Sequence, residues 1–200
     1  MSKRGRPRQF DEDAVSDALM GVFWRKGYGA TSLDELAAAT GLNRPSLYSA
    51  FGNKLDMYVL SLRRFTERVG ENTGQHLAAA ATFEDALNGF YATLIDMYVA
   101  GPGEEGGLGC LIFSNAVSEA PNNAVIRSEV NTILVRVQQV FSDVLTAHHP
   151  DCPAETREIA LDLALSTFLG LGTRIRAGAD PKDVAQAAQR SAKAIQSLVA

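Results

Sequence analysis

The residues best suited to contacting a polyanion lie near the N-terminus of this sequence. Four cations and no acid occur in the first eight residues, and residues 31–54 read TSLDELAAATGLNRPSLYSAFGNK. A basic arm is attracted to phosphates and to a narrow minor groove, whereas guanidinium, amide and hydroxyl groups on a short helix can bond to base edges in the major groove. This pattern therefore indicates contact with double-stranded DNA.

Twelve residues of this region have the side chains or the positions that such contacts require. The predicted DNA contacts are Arg4, Arg6, Arg8, Thr31, Ser32, Asn43, Arg44, Pro45, Ser46, Tyr48, Ser49 and Lys54. Two plainer interpretations stay open, namely a helical hairpin whose polar side is only solvated and a basic tail without a partner. Tyr48 is equally suited to bonding a phosphate and to half-buried packing in the core.

The spacing of apolar and turn residues predicts a helix-turn-helix within this segment. Ala37 supplies a small residue where two helices cross, Gly41 permits the positive φ that ends the first helix, and Leu47 supplies an apolar anchor on the second. The exposed side of the second helix would carry Arg44, Ser46, Tyr48 and Ser49. Two short helices that meet at a steep angle would result.

Capping residues define where the two helices begin. Thr31 or Ser32 can cap the first helix, and Asn43 is the natural cap of the second. Pro45 then lies in the first turn of the second helix, where its missing N–H would have had no intrahelical partner. Caps, turn and basic residues thus agree with one another.

Residues 23–54, from FWRKGYGATSLDELA to SLYSAFGNK, resemble the TetR family of bacterial transcription regulators. The resemblance is specific but covers only about the first quarter of the chain. It implies an all-α fold with an N-terminal three-helix helix-turn-helix DNA-binding domain over residues 1–54. A larger helical ligand-binding and dimerisation domain would follow over residues 55–200. The identity of the ligand does not transfer.

Charge and composition agree with this division. Residues 1–54 carry 8 Lys or Arg against 6 Asp or Glu, and residues 55–200 carry 11 against 17, so the overall charge of −4 conceals a basic N-terminal segment. No targeting signal is evident, and no apolar run reaches the roughly 18 residues of a membrane span. Two cysteines give no disulfide framework. We therefore expect a soluble, cytoplasmic protein.

Helical periodicity predicts the elements of the second domain. A long fourth helix starting near Asn53 would join Lys54 to the regulatory domain and couple the two. The other expected helices are one capped by Thr82, a short one from Cys110 to Pro121, a longer one up to Pro150, and two at about 154–177 and 181–199.

The last two predicted helices are rich in small residues, which allow helices to approach closely. We expect them to form a four-helix bundle across a two-fold axis, as the family resemblance also implies. The predicted interface residues are Ala160, Ala164, Thr167, Leu171, Ala185, Ala188, Ala192 and Ile195. Packing of these residues within one chain is the alternative. A symmetric dimer would prefer a palindromic operator, and a ligand that favours the wrong helix separation would release it.

Aromatic residues of the middle helices suggest a site for a largely apolar small molecule, in the region where the resemblance places the ligand. The predicted ligand-binding residues are Phe65, Tyr91, Tyr98, Cys110, Phe113, Asn115, Phe141, Phe168 and Arg174. Core packing is the alternative for each aromatic residue. The main expectation is a dimeric repressor released by such a ligand, and a ligand-independent dimeric DNA-binding protein is the competing class.

Cys110 is the residue with the clearest potential for chemistry of its own. It follows a glycine-rich loop at the start of a helix, where the dipole would stabilise a thiolate and lower its pKa. A thiol sensor of electrophiles or oxidants is therefore an alternative function, beside that of a small buried apolar residue. The cluster around His148 lacks the regular spacing of metal ligands, and no nucleotide-binding loop or catalytic triad is evident. We expect no metal, no cofactor and no enzymatic activity.

Overall fold

The computed structural model describes residues 10–101 and 107–200, and these ranges are helical without a β-strand. The elements are α1 (Glu12–Lys26), α2 (Leu33–Thr40), α3 (Arg44–Phe51), α4 (Lys54–Ala79), α5 (Phe83–Ala100), a π-helical turn (Ile112–Ala116), α6 (Val117–Glu119), α7 (Ala124–His148), α8 (Ala154–Arg176) and α9 (Pro181–Val199). The predicted all-α class, with a three-helix N-terminal unit before a larger helical unit, is confirmed. No helix in the described ranges is both long and apolar enough to cross a membrane.

The three N-terminal helices pack around apolar side chains that each of them contributes. Phe23 of α1, Leu36 of α2 and Leu47 of α3 are fully buried. The ring of Tyr58, from α4, meets Phe23 edge-on with centroids 4.9 Å apart. Burial of Leu47 fixes which side of α3 faces inward and therefore leaves the opposite side to solvent.

Helix α4 contacts both parts of the molecule. It begins in a capping box, in which Asn53 accepts hydrogen bonds from the backbone N–H groups of Leu55 and Asp56 while the Asp56 carboxylate accepts from the Asn53 N–H. The helix is 26 residues long and packs against α1, α5 and α7. It is thus continuous from the edge of the helix-turn-helix into the larger helical unit. A domain boundary at residues 54 and 55 stays a prediction.

Helices α5, α8 and α9 pack against one another through small side chains. The residues in these contacts include six of the eight predicted interface residues, and they are Ala160, Ala164, Leu171, Ala188, Ala192 and Ile195, all buried within the chain. Thr167 and Ala185 are partly buried. The prediction that the six buried residues meet a second subunit is therefore wrong, because they are covered by the chain itself.

The segment before α6 takes a form that periodicity did not predict. The backbone N–H of Ala116 bonds to the carbonyl oxygen of Leu111 at 3.2 Å, which is the five-residue spacing of a π-helix. Just before it, Gly109 has φ +65°, and a Cβ there would lie 2.2 Å from the carbonyl oxygen of Gly172 in α8. Glycine alone allows the segment to pass α8 at this distance.

Candidate functional site

Local hydrogen bonds set the position of α3. Gly41 ends α2 in the left-handed conformation, at φ +69°. Two residues later the side chain of Asn43 accepts a hydrogen bond from the Ser46 N–H at 2.9 Å, and Pro45 occupies the first turn. The predicted roles of these three residues in ending α2 and starting α3 are confirmed. The short turn that these residues form holds α3 at an angle to α2. Leu47 of α3 is then buried in the core of the three N-terminal helices.

The outer side of α3 is free for contact. Arg44, Pro45, Tyr48 and Ser49 are exposed, and Ser46 is partly exposed. Tyr48 has 47 % of its surface accessible, which excludes packing in the core of this chain. A guanidinium, a phenol and a hydroxyl therefore occupy one face of a helix about two turns long, which can enter a major groove.

Two predicted contact residues have a different role in the structure. Thr31 is only 2 % exposed, and its hydroxyl donates to the carbonyl oxygen of Gly27 at 2.6 Å, so its side chain cannot reach DNA. Ser32 caps α2: its hydroxyl accepts from the Glu35 N–H at 3.3 Å, and the Glu35 carboxylate accepts from the Ser32 N–H at 2.8 Å. Of the two caps that the sequence allowed, the chain uses Ser32, and Thr31 stabilises the turn before it.

Both acidic residues of α2 are paired with cations. The guanidinium of Arg44 donates to the two carboxylate oxygens of Asp34, with 2.8 Å from Nε to Oδ1. The pairing raises the pKa of Arg44 above its usual range. The Lys26 ammonium donates to Glu35 and, together with the bonds from Ser32, lowers the pKa of Glu35 to about 2. The two negative charges of α2 are thus each neutralised by a cation. The pairing of Asp34 with Arg44 was not predicted from the sequence.

Lys54 lies at the edge of the same surface. It is the first residue of α4 and partly exposed, and its ammonium lies 4.5 Å from the centroid of the Tyr28 ring. This cation–π contact holds the ammonium near the N-terminal end of α4. The other predicted cations, Arg4, Arg6 and Arg8, lie outside the described residues.

Hydrogen bonds connect the end of α1 to the larger helical unit. The Trp24 indole N–H donates to the carbonyl oxygen of Gly109 at 2.8 Å, and the Asn115 amide donates to the carbonyl oxygen of Trp24 at 2.9 Å. The Glu119 carboxylate accepts from the Gly29 N–H at 3.1 Å. From α8, Arg176 donates to the carbonyl oxygen of Leu108 at 2.8 Å. A shift of the π-helical turn would therefore be transmitted through these hydrogen bonds to α1, the helix that precedes the helix-turn-helix.

The predicted aromatic walls of a ligand site pack against each other instead. The Phe141 ring lies edge-on to those of Tyr91 and Phe168, with centroids 6.4 Å apart in both pairs, and Phe113 meets Phe168 at 5.4 Å. The Tyr91 hydroxyl donates to the carbonyl oxygen of Ala164 at 2.8 Å. These side chains fill the core, which was the alternative interpretation for each of them.

The remaining predicted ligand contacts are also engaged elsewhere. Phe65 packs edge-on against Trp24 at 4.9 Å, and Tyr98 is buried with its hydroxyl bonded to the thiol of Cys110. The Asn115 amide is bonded to Trp24, as described above, and Arg174 lies exposed on α8. The structure does not bring these four residues together around one space.

A cleft of about 390 Å³ opens elsewhere, between α4 and α7, with Phe90 of α5 in its lining. One face of α4 lines it with residues including Val69, Gly70, Thr73, Gly74 and Leu77, and one face of α7 lines it with Ile133, Arg136, Val137 and Val140. A Cβ built on Gly70 or Gly74 meets nothing within 4 Å, so the two glycines leave this space open. None of the nine predicted ligand residues lines the cleft. The two glycines, one turn apart in an amphipathic helix, were the signal in the sequence.

Cys110 is buried, which changes its expected chemistry. Burial raises the pKa of the Cys110 thiol, against the smaller opposing effects of hydrogen bonds from the Phe113 N–H and the Tyr98 hydroxyl. The predicted lowering of its pKa is therefore wrong, because loss of hydration outweighs the bonds at the start of the turn. No group of three possible metal ligands is found in the part of the chain that the structure describes.

An apolar surface remains exposed on α8 and α9. On α8, its residues immediately precede the buried alanines in the sequence. Ile159, Leu163 and Leu198 are 48 %, 44 % and 47 % exposed. The short turn at residues 177–180 makes the two helices antiparallel, and Thr156 and Leu198 line one surface depression. Ile159 and Leu198 therefore lie towards the same end of the α8–α9 pair, and Leu163 lies one turn of α8 further along.

Comparison with known proteins finds similar sequences among bacterial regulators. A family model described as bacterial regulatory proteins of the tetR family matches residues 16–59. The HTH-type transcriptional repressor ComR of Escherichia coli (strain K12) is 32 % identical over 130 residues, which are 64 % of this chain and 60 % of ComR. The uncharacterized HTH-type transcriptional regulator YezE of Bacillus subtilis (strain 168) is 26 % identical over 119 residues, or 60 % of each chain. The match thus spans about 60 % of the length of these curated relatives.

Solved structures share the fold over nearly the whole chain. A cysteine mutant of the TetR family transcriptional regulator CifR, complexed with 26-base-pair double-strand operator DNA, aligns with a TM-score of 0.83 at 23 % identity and covers 94 % of this chain and 99 % of its own. SCO4454, a TetR-family transcriptional regulator from Streptomyces coelicolor, aligns with a TM-score of 0.75 at 17 % identity over 94 % of this chain and 88 % of its own. At these identities the likeness establishes the fold. All four of these similar proteins are described as transcriptional regulators or repressors.

Proposed function

Because this chain belongs to the TetR family of bacterial regulatory proteins, we propose that it is a transcriptional repressor that binds operator DNA as a homodimer and leaves it when a small, largely apolar molecule binds. The observation that carries the proposal is the exposed face of α3, where Arg44, Tyr48 and Ser49 project from a helix that is capped and anchored for insertion into a groove. The operator-bound state of CifR, which shares this fold, supports the same use of α3 here.

A dimer is required because α3 has only eight residues and makes too few base contacts alone for tight, specific binding. The exposed side chains of Ile159, Leu163 and Leu198 provide an apolar surface that a second copy would cover. Two-fold symmetry makes such a surface self-complementary. The paired α3 helices would then lie about 34 Å apart, one turn of DNA, and would select a palindrome.

The effector would bind in the cleft between α4 and α7. The lining of this cleft is mostly apolar, with Arg136 and Glu67 as its charged residues. Because Gly70 and Gly74 have no side chains, they leave space on the α4 side of the cleft. A molecule inserted there would separate α4 from α7. Because α4 begins at Lys54, beside the helix-turn-helix, such a movement would change the separation of the two α3 helices.

The size of the response depends on how much better the effector binds the DNA-free form. Coupling between two sites is typically about 1–3 kcal/mol, which corresponds to a loss of DNA affinity of about 5- to 150-fold. A competing class, a dimeric DNA-binding protein without an effector, would keep the α8–α9 contact and leave the cleft without a role. The raised pKa and burial of Cys110 weigh against release of DNA by thiol chemistry.

Two steps test the proposal. Selection of bound duplexes from a random pool by the full chain should enrich a palindrome whose half-sites are centred one helical turn apart. A screen of small apolar compounds should then find some that raise the melting temperature of the protein and weaken operator binding over the same concentration range. Enrichment without any such compound would support the effector-independent class, and absence of enrichment would overturn DNA recognition itself.

A further inference from the structure

Arg44 is the only basic residue between positions 27 and 53, so the helix-turn-helix carries one guanidinium for two acids, Asp34 and Glu35. Glu35 is held by Lys26 and by Ser32. Among the described residues, Asp34 is held by Arg44 alone, through the pair of hydrogen bonds to its carboxylate. The one basic side chain of α2 and α3 is therefore committed to a carboxylate of the neighbouring helix before any DNA is present.

This ion pair contributes little to folding. The side chains of Arg44 and Asp34 are 53 % and 73 % exposed, and exposed pairs are offset by solvation and by the entropy of two long side chains. Its main effect is geometric. A planar guanidinium bound through both Nε and Nη2 cannot rotate, so the direction of its remaining N–H groups is fixed.

The donors left over form the outer edge of the guanidinium. The Asp34 carboxylate uses Nε and one N–H of Nη2, and no described residue accepts a hydrogen bond from Nη1. Two parallel N–H groups, one on each Nη, are therefore available on the adjacent edge, at the end of the guanidinium, and the second N–H of Nη1 points back towards Cδ. This edge matches O6 and N7 of guanine, the pair of acceptors that arginine most often reads in the major groove.

Position and charge favour a base over a phosphate as the target. Arg44 is the first residue of α3, and the N-terminal residues of a recognition helix are those that meet base edges. The Asp34 carboxylate beside it reduces the attraction between Arg44 and a phosphate and repels any phosphate placed close to the pair. A neutral, oriented pair at this place is suited to sequence discrimination rather than to general affinity.

We propose that Arg44, held in place by Asp34, reads a guanine in each operator half-site, and that Asp34 is the positioning residue that sets this base preference. The proposal rests on the proposed function, since it requires α3 to enter the major groove. It adds the base recognised and the residue on α2 that determines it.

The test compares base preference among variants of the full chain. Operator duplexes are first selected by the wild-type protein, and Kd is then measured for the selected duplex and for one in which the common guanine of both half-sites is replaced by adenine. The variants are D34A, R44A, R44K and, as a matched control, E35Q. The control also removes one negative charge from α2, but a glutamine keeps the capping box and leaves the Arg44 pair intact.

The wild-type protein and E35Q should favour guanine by about 5- to 150-fold per half-site. R44A and R44K should lose this preference, and R44K should keep the salt dependence of binding because its charge remains. D34A should lose most of the preference while binding random duplexes more tightly, since the freed Arg44 becomes a phosphate ligand. In a protein that already carries R44A, adding D34A should change neither the guanine preference nor the affinity for random duplexes.

Three results would overturn the proposal. They are an unchanged guanine preference in R44A, an equal loss of affinity for all duplexes in R44A, and a full guanine preference in D34A. Far-UV circular dichroism verifies that each variant is folded. If R44A does not fold, the guanine preference of R44K is used in its place. A wild-type protein that enriches a palindrome with no dependence on Arg44 would overturn only this inference, whereas one that enriches nothing would overturn the proposed function as well.

Discussion

The indole N–H of Trp24 donates a hydrogen bond of 2.8 Å to the carbonyl oxygen of Gly109, 85 positions further along the chain. Trp24 is near the end of α1, and Gly109 leads into the π-helical turn. The Asn115 amide bonds back to the carbonyl oxygen of Trp24, so the two segments are joined in both directions. The end of α1 and the turn must therefore move together.

Replacing Trp24 with Phe should weaken this junction. The buried carbonyl of Gly109 would lose its donor, which costs about 1–3 kcal/mol of unfolding free energy. The loss is measured by urea unfolding. Circular dichroism is the probe, because the substitution removes the one tryptophan whose fluorescence could otherwise be followed. In operator binding, the variant should respond less to an effector than the wild type. Unchanged stability and an unchanged response would mean that the bond does not couple the two parts.

Asp17 should make stability depend on pH. The hydrogen bond from Arg64, with the nearby Arg68, lowers the pKa of Asp17 in the folded protein. The stabilisation is therefore present above the unfolded-state pKa of about 4 and is lost as pH falls through the lower, folded-state value. Asp17→Asn should reduce the unfolding free energy at pH 7 by less than about 1 kcal/mol, since the pair is partly exposed.

The difference between Asp17→Asn and the wild type should shrink towards zero as urea unfolding is repeated down to pH 3. Asp13→Asn serves as the control, because Asp13 also contacts Arg64, at 2.9 Å, but its side chain is 82 % exposed. Its effect should be smaller at every pH. A difference for Asp17→Asn that is independent of pH would refute the electrostatic account.

Gly70→Leu tests whether the cleft between α4 and α7 is the effector site. The leucine side chain would occupy space that the glycine leaves open, so compounds found by thermal shift on the wild type should no longer raise the melting temperature or release DNA. Gly70→Ala is the matched control, since it gives the same gain of about 1 kcal/mol in helix propensity but adds only a methyl group. Equal responses from the two variants would place the effector elsewhere.

Leu163→Asp tests the surface on which a second copy would dock. Leu163 is 44 % exposed on α8, and a carboxylate there would be buried against apolar atoms in a dimer. Sedimentation should therefore find a monomer with operator affinity reduced at least about 10-fold, as expected when one half-site is lost. Val135→Asp is the control, because Val135 is 62 % exposed on a different helix, α7, and the Val135→Asp variant should remain dimeric. Dimerisation of both variants would exclude this surface.

Local features of the fold could be predicted from the sequence because they depend on residues two to four apart. The caps Asn43 and Thr82 bond to N–H groups three positions ahead, and Gly41 acts through its own φ. Leu47 could be predicted as an anchor because it is an apolar residue between Ser46 and Tyr48, whose polar groups favour the outer side of the helix. Such signals were sufficient for the helix-turn-helix.

Faces and pairings that depend on the rest of the molecule could not be predicted in the same way. Helix α8 has one apolar stripe through Ala160 and Ala164 and a second through Ile159 and Leu163, and periodicity cannot decide which of them the chain itself covers. The aromatic residues around Phe141 suit a packed core and a ligand wall equally well by composition. The bond from Trp24 to Gly109 joins segments whose proximity only the folded chain determines.

A symmetric dimer that places two α3 helices on one operator is the central requirement of the proposed function. Titration of a single selected palindromic duplex with the full chain, followed by the mass of the complex, tests this directly. Two chains should bind per duplex in one cooperative step, and a duplex with one half-site scrambled should bind at least about 10-fold more weakly. A complex of one chain per duplex, indifferent to the second half-site, would contradict the account.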